Sequence, residues 1–294
     1  MKNLLSLLFL ATLLFSCQKN KQSAEDTKPS PSFEKERNAF FNNLRSPAEA
    51  AAILQATGAD FNASLINESS RYPEYGNNPV KAAANLGVYL SDLNYCVAYK
   101  QTAITRDLFT AALGLSKVVG VEQPVLDFLM KRYSENIAQN DSVKLVLNEL
   151  YDKSTASLKG TESEHLVGIA MAAYQIENLH LALGLIRTYP KDMLPTDSRT
   201  LILVPVFKMV LDQKQNVENI YGFLRSITDP LDPNKNPNLP YYATAFEGLI
   251  NTYGKLDISG KIANNQGLDL MKDEVAIELS ERVEAIRGKV VSVE

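Results

Sequence analysis

The sequence predicts an all-α protein, on three observations. Helix-start signals recur along the chain. Ser46-Pro47-Ala48-Glu49 and Thr161-Glu162-Ser163-Glu164 both have the capping-box form, in which a hydroxyl and a glutamate satisfy the first free backbone N–H groups. Helix stops follow the apolar stretches, at Gly58, Gly120, Gly160 and Pro190. The apolar–polar alternation of a half-buried strand hardly appears. The expected architecture is a multi-helix bundle or a stacked helical-hairpin array of about nine to eleven helices. No internal period near 34 or 40 residues marks a repeat.

The chain opens with Lys2 and then a mostly apolar run from Leu4 to Phe15. That run suits the apolar region of a secretory signal, whereas a membrane-spanning helix needs about 20 residues. No later segment is expected to reach that length. The run ends in Leu14-Phe15-Ser16-Cys17, which resembles the lipobox of bacterial lipoprotein precursors: a small residue before a cysteine. The resemblance covers about the first twenty residues and is of the kind found in uncharacterised helical envelope lipoproteins. It implies that the Cys17 thiol takes a diacylglyceryl group, that residues 1–16 are removed, and that the new amino terminus is acylated. A single acyl chain, at about 0.8 kcal/mol per buried methylene, anchors only marginally, whereas two or three on Cys17 hold stably. In such lipoproteins an aspartate after the cysteine favours the inner membrane. Gln18 therefore implies the outer membrane. Lys19 and Lys21 precede Glu25 and Asp26, which favours a periplasm-facing position over a cell-surface one.

Residues 17–32 read as a flexible tether. From Gln18 to Ser32 there is no aromatic or branched aliphatic residue, and Pro29 and Pro31 interrupt any helix. Such a stretch buries too little apolar surface to offset the entropy of ordering. Residues 33–294 are expected to form a single all-helical domain, ample for one sizeable core.

Within that domain the helices follow in order. The first runs from Pro47 to the stop at Gly58. Asn78-Pro79 starts a second, reaching Lys100. A third spans about Ile104–Val119 before Gly120. Pro124 opens one to about Ala138, and Asp141–Leu158 forms the next. The helix capped at Thr161 continues to Tyr189-Pro190. Thr200–Leu211 is apolar enough for a buried strand, but Pro205 in its middle favours a kinked buried helix starting near Asp197. Ile227–Pro240 carries four prolines and reads as a surface loop. A helix follows from about Tyr241 to Tyr253. A last one, near Met271–Val290, places Val275, Leu279, Val283, Ile286 and Val290 on one stripe, with Glu281 and Glu284 off it. That stripe docks either on its own domain or on a partner protein.

Composition excludes several functions. The formal charge is −4, and removing residues 1–16 with Lys2 makes it −5, which disfavours a nucleic-acid surface. Once Cys17 is acylated, Cys96 is the one remaining thiol, so no intramolecular disulfide can form. Two histidines exclude histidine-rich metal chemistry. Glu162-x-x-His165 and Glu177-x-x-His180 imitate half of a di-metal site. On one helix they lie about 22 Å apart, against the roughly 3.5–4 Å between paired metals. No metal or cofactor is expected. The glycine and histidine motifs of common hydrolases, nucleotide binders and zinc proteases are missing.

One stripe stands out. Asn85, Tyr89, Asp92, Cys96 and Tyr99 fall at spacings of four and three on the second helix, beside the apolar stripe Leu86, Leu90, Leu93 and Val97. A helix this apolar cannot expose both. Asn85 and Asp92 are therefore at least half buried, either in a core network of tyrosine hydroxyls and backbone donors or on a ligand-cavity wall formed by Asn85, Tyr89, Asp92 and Tyr99. The function expected is that of a lipid-anchored, non-enzymatic scaffold or accessory protein working through an unidentified protein partner. The alternative is a periplasmic small-ligand-binding lipoprotein with a tyrosine-lined pocket.

Overall fold

The structure, a computed structural model, describes residues 47–56, 58–121, 164–190, 195–227, 238–256 and 274–293, with isolated positions 123, 127 and 131. The leader, Cys17 and the tether lie outside the described residues. So do the helices expected over Pro124–Ala138 and Asp141–Leu158, apart from those isolated positions.

The described residues are all-helical and contain no strand. Helix α1 covers Pro47–Gln55 and is followed by Gly58 at φ 85°, a left-handed turn that glycine adopts without steric cost. A segment with two short 3-10 turns leads to the single-turn α2 (Tyr72–Tyr75). Helix α3 (Pro79–Ala98) starts as the sequence dictates, with the Asn78 side chain accepting from the backbone N–H of Val80 and Lys81. Helix α4 (Thr102–Val119) ends in Gly120 at φ 96°, whose N–H bonds back to Lys117, while that of Val121 bonds to Ser116.

Helix α5 (Glu164–Thr188) is followed by α6 (Thr196–Asp212), α7 (Lys214–Ile227), α8 (Asn238–Lys255) and α9 (Glu274–Val291). Eight helices of nine residues or more are thus seen among the described residues, slightly below the number expected. Pro205 lies inside α6 with its ring exposed, while Leu203, Val206, Phe207 and Val210 are buried, so the apolar run is a helix and not a strand. Helix α8 starts earlier than expected and takes Pro240 into its first turn. There a missing N–H costs no intrahelical bond.

Helix α5 organises the fold. It touches α1, α3, α6, α7, α8 and α9, the arrangement of a bundle around a central helix. A linear hairpin array would let each unit touch only its neighbours. Its length and apolar character correct the expectation that no later segment is long enough to cross a membrane: His165–Thr188 is. The helix is nonetheless buried by its neighbours on every side and carries Gln175, Glu177, Asn178 and His180 in its middle. A helix that is apolar all round belongs in a core as readily as in a bilayer.

Helices α3 and α5 cross at very short range. A Cβ built on Gly87 would lie 2.1 Å from the carbonyl oxygen of Ala170 and 2.8 Å from the backbone nitrogen of Tyr174. Only glycine permits this approach. Helix α9 docks on its own domain, against α5, α8 and α3, with Leu279, Val283, Ile286 and Val290 buried as its stripe requires and Val275 packed partly buried at its start.

Candidate functional site

The polar stripe of α3 is packed into the helical core. Asn85, Tyr89, Asp92 and Cys96 have no exposed surface and Tyr99 retains 6 %. The apolar stripe beside it is buried as well, except for the partly covered Leu90. Burial, with a contribution from the Asp92 carboxyl, pushes the Cys96 thiol far above its usual range. Tyr99 and Tyr95 pack with Phe61 in a second apolar cluster, Phe61 and Tyr95 stacking at 5.2 Å between ring centres.

The upper half of the stripe holds the segment before α3 and the end of α9. Asn85 Nδ2 donates to the carbonyl of Val290 at 3.0 Å, and its Oδ1 accepts from Asn67 Nδ2 at 3.3 Å. The Tyr75 hydroxyl donates to the carbonyl of Val291 at 3.0 Å and accepts from Asn67 Nδ2. The Tyr89 hydroxyl donates to the carbonyl of Glu68 at 2.9 Å. The last carbonyls of α9, which have no partner within their own helix, are thereby capped by side chains from distant parts of the chain.

Asp92 is not held by tyrosine hydroxyls. Its Oδ2 accepts the backbone N–H of Asn67 at 3.0 Å, and no donor among the described residues faces Oδ1. Its other close partner is the carboxyl of Glu177 on α5. Burial first, and then the Glu177 charge, raise the Asp92 pKa well above the usual carboxylate range. Glu177, also without exposed surface, accepts three hydrogen bonds from Arg287 of α9. Nε donates to Oε2 at 2.8 Å and to Oε1 at 3.0 Å, and Nη2 donates to Oε1 at 3.0 Å. Two buried carboxyl groups thus meet in the interior, and the guanidinium of Arg287 is bonded to one of them, Glu177.

One turn further along α5, His180 makes a second link. Its Nε2 lies 3.0 Å from the carbonyl oxygen of Leu65 and its Nδ1 lies 2.9 Å from Glu284 Oε1. The ring is thereby held through both of its nitrogens, between α9 and the segment before α3. The carbonyl of Leu65 also accepts from Arg287 Nη2 at 3.3 Å. Partial burial acts to raise the Glu284 pKa, but His180 and Arg187, whose Nη1 donates to Oε1 at 3.0 Å, outweigh it and hold the carboxylate below its usual range. The Glu177-x-x-His180 spacing therefore serves to aim both side chains at α9. His165 lies on the same helix, and Glu162 is outside the described residues.

Sequence reasoning found the buried side of this arrangement and missed its partners. Arg287 and Glu284 lie beside the apolar stripe of α9, where charged residues ordinarily face water. Asn67 lies in an irregular segment with no periodicity to mark it. The one available signal is that Glu177 and His180 sit inside a helix apolar on every other face.

Helices α6 and α9 both pack on α5 but make little contact with each other, and the space between them is a groove of about 570 Å³. Leu183 and Ile186 of α5, Phe207 of α6 and Ala276 of α9 form its floor. Ile277, 49 % exposed, stands at its lip. Arg187, Ser280, Glu281 and Glu284 make the polar edge. None of the stripe residues Asn85, Tyr89, Asp92 or Tyr99 lines it. Comparison of the chain with family models, with curated proteins and with solved structures returned no match.

Proposed function

We propose that the protein is a lipid-anchored envelope component, attached to the outer membrane through acylated Cys17 and facing the periplasm, that acts as a scaffold or accessory protein through protein contacts. The observation that carries this reading is how the reactive side chains are used. Asp92, Glu177, His180 and Arg287 are each bound to another helix or to the backbone before α3. Their chemistry goes into fixing α9 and the 61–71 segment, which leaves the outer surface as the working part. That surface carries large apolar side chains in contact with water, Leu201 at 72 % and Ile277 at 49 %.

Crosslinking in intact envelopes tests the reading. A recurrent protein partner should be trapped by the full-length protein and lost from a version that keeps only the leader and tether. Recovery of nothing beyond abundant neighbours would sink it. The second reading, a small-ligand-binding lipoprotein, would have to use the α5–α6–α9 groove, of ligand-site size and largely apolar, in place of the tyrosine-lined pocket expected at Asn85, Tyr89, Asp92 and Tyr99, none of which lines it.

A further inference from the structure

We propose that α9 is a latch: it and the stretch from Leu65 to Tyr75 open and close as one unit, while α3 and α5 stay folded. The latch requires no partner and stands apart from the protein-contact reading.

The two pieces are joined by hydrogen bonds that run both ways. Arg71 Nη2 and the Tyr75 hydroxyl donate to the carbonyl of Val291 at 3.1 and 3.0 Å, and Arg287 Nη2 donates to the carbonyl of Leu65 at 3.3 Å. Two side chains of the central helices bridge them. Asn85 accepts from Asn67 and donates to the carbonyl of Val290, and His180 lies between the carbonyl of Leu65 and Glu284. The stretch itself has only short 3-10 turns and the single-turn α2, so little of its backbone is satisfied by a helix of its own. With α9 gone, the Tyr75 hydroxyl is left as a buried donor without an acceptor, which is costly enough to undo its position.

Helix α9 is the element best placed to leave. It lies on the bundle by the stripe Ala276, Leu279, Val283, Ile286 and Val290, and its other faces are exposed or half-exposed. Helix α3, by contrast, is buried from Ala82 to Tyr89 and again from Ser91 to Ala98. Elements with few buried apolar contacts open at lower free energy than the core. Opening bares the α5 face that carries Glu177 and His180, whose partners Arg287 and Glu284 leave with α9, and it releases the chain before α3.

The test is amide hydrogen exchange of the full-length protein, followed residue by residue over urea concentrations below the unfolding transition. The amide of Asn67 is the decisive reporter, because its acceptor, Asp92 Oδ2, sits on α3 and not on α9. It should share one opening equilibrium with the amides of Leu279–Val290, and both should exchange faster than those of Tyr89–Val97 in α3 and Ile169–Leu181 in α5. Leu279→Ala, in the half of α9 away from these hydrogen bonds, should speed α9 and Asn67 by one common factor of about thirtyfold. Ile286→Val should speed both by a common factor of about threefold, and it carries the same reading if Leu279→Ala does not fold. An Asn67 amide that keeps its parent rate while α9 speeds up would overturn the proposal. So would a single exchange equilibrium for α9, α3 and α5, which would mean that α9 leaves only when the whole bundle unfolds.

Discussion

Replacing Arg287 by methionine keeps the aliphatic stem and removes the guanidinium. Glu177 then loses all three of its hydrogen bonds from α9 and remains in the interior with no exposed surface, beside Asp92. The carbonyl of Leu65 loses one of its two donors. Removing one partner of a buried ion pair costs about 3–5 kcal/mol, because the surviving charge is left without compensation. Arg287 is itself only 15 % exposed at the side chain, so water does not readily replace it. The variant should therefore lose about 3–5 kcal/mol of stability in urea denaturation followed by circular dichroism. Glu177→Gln combined with Arg287→Met should recover most of that loss, since an interior cleared of both ions is close to neutral in cost. The double-mutant cycle isolates the coupling. A cost of Arg287→Met below about 1 kcal/mol, the range of surface ion pairs, would refute the claim that this link holds α9 in place.

Three further outcomes follow from the same geometry. Asp92 has a raised pKa in the folded state, so the stability it contributes is full below the unfolded carboxyl value and is lost as pH rises through the folded one. Asp92→Asn supplies a permanent donor toward Glu177 and should be more stable than the parent at pH 8, with the difference shrinking toward pH 4; equal pH dependence of the two in denaturation curves would contradict the raised Asp92 pKa. Cys96 should react with a thiol reagent only after denaturation, as its burial and raised pKa require, and rapid labelling of the native protein would show that the α3 stripe reaches solvent. Gly87→Ala gains about 1 kcal/mol of helix propensity, but its Cβ would meet a backbone oxygen at 2.1 Å. The helices must part, and overpacking of this kind costs about 1–3 kcal/mol, so a melting temperature at or above that of the parent would rule out so close a crossing of α3 and α5.

How far the site could be read from the sequence depends on the range of each interaction. The helix ends were legible because caps and stops are local: Asn78 caps α3 through N–H groups two and three residues away, and Gly120 closes α4 onto Lys117. The buried face of α9 was legible because periodicity reports which side of a helix is apolar. Asp92 was legible as buried because two stripes compete for one helix. Its environment was not. Glu177 lies on another helix, and Arg287 is separated from Glu177 by 110 residues. Periodicity gives a face but no neighbour across it. The length of α5 was misjudged: no later segment was expected to be long enough to cross a membrane, yet this helix is, and the surrounding helices mark it as a core helix.

The chain's local chemistry determined that it is helical, where most of its helices begin and end, and that Asn85 and Asp92 leave the surface, since each of these follows from hydrogen-bond geometry or apolar spacing within a few residues. Tertiary structure decided that α5 is the central helix, that Asp92 and Glu177 meet in the interior beside Arg287, and that α6 and α9 leave a groove between them. Those outcomes rest on contacts between elements far apart in the chain. Such contacts form only where helices meet, and no local pattern encodes which helix that will be.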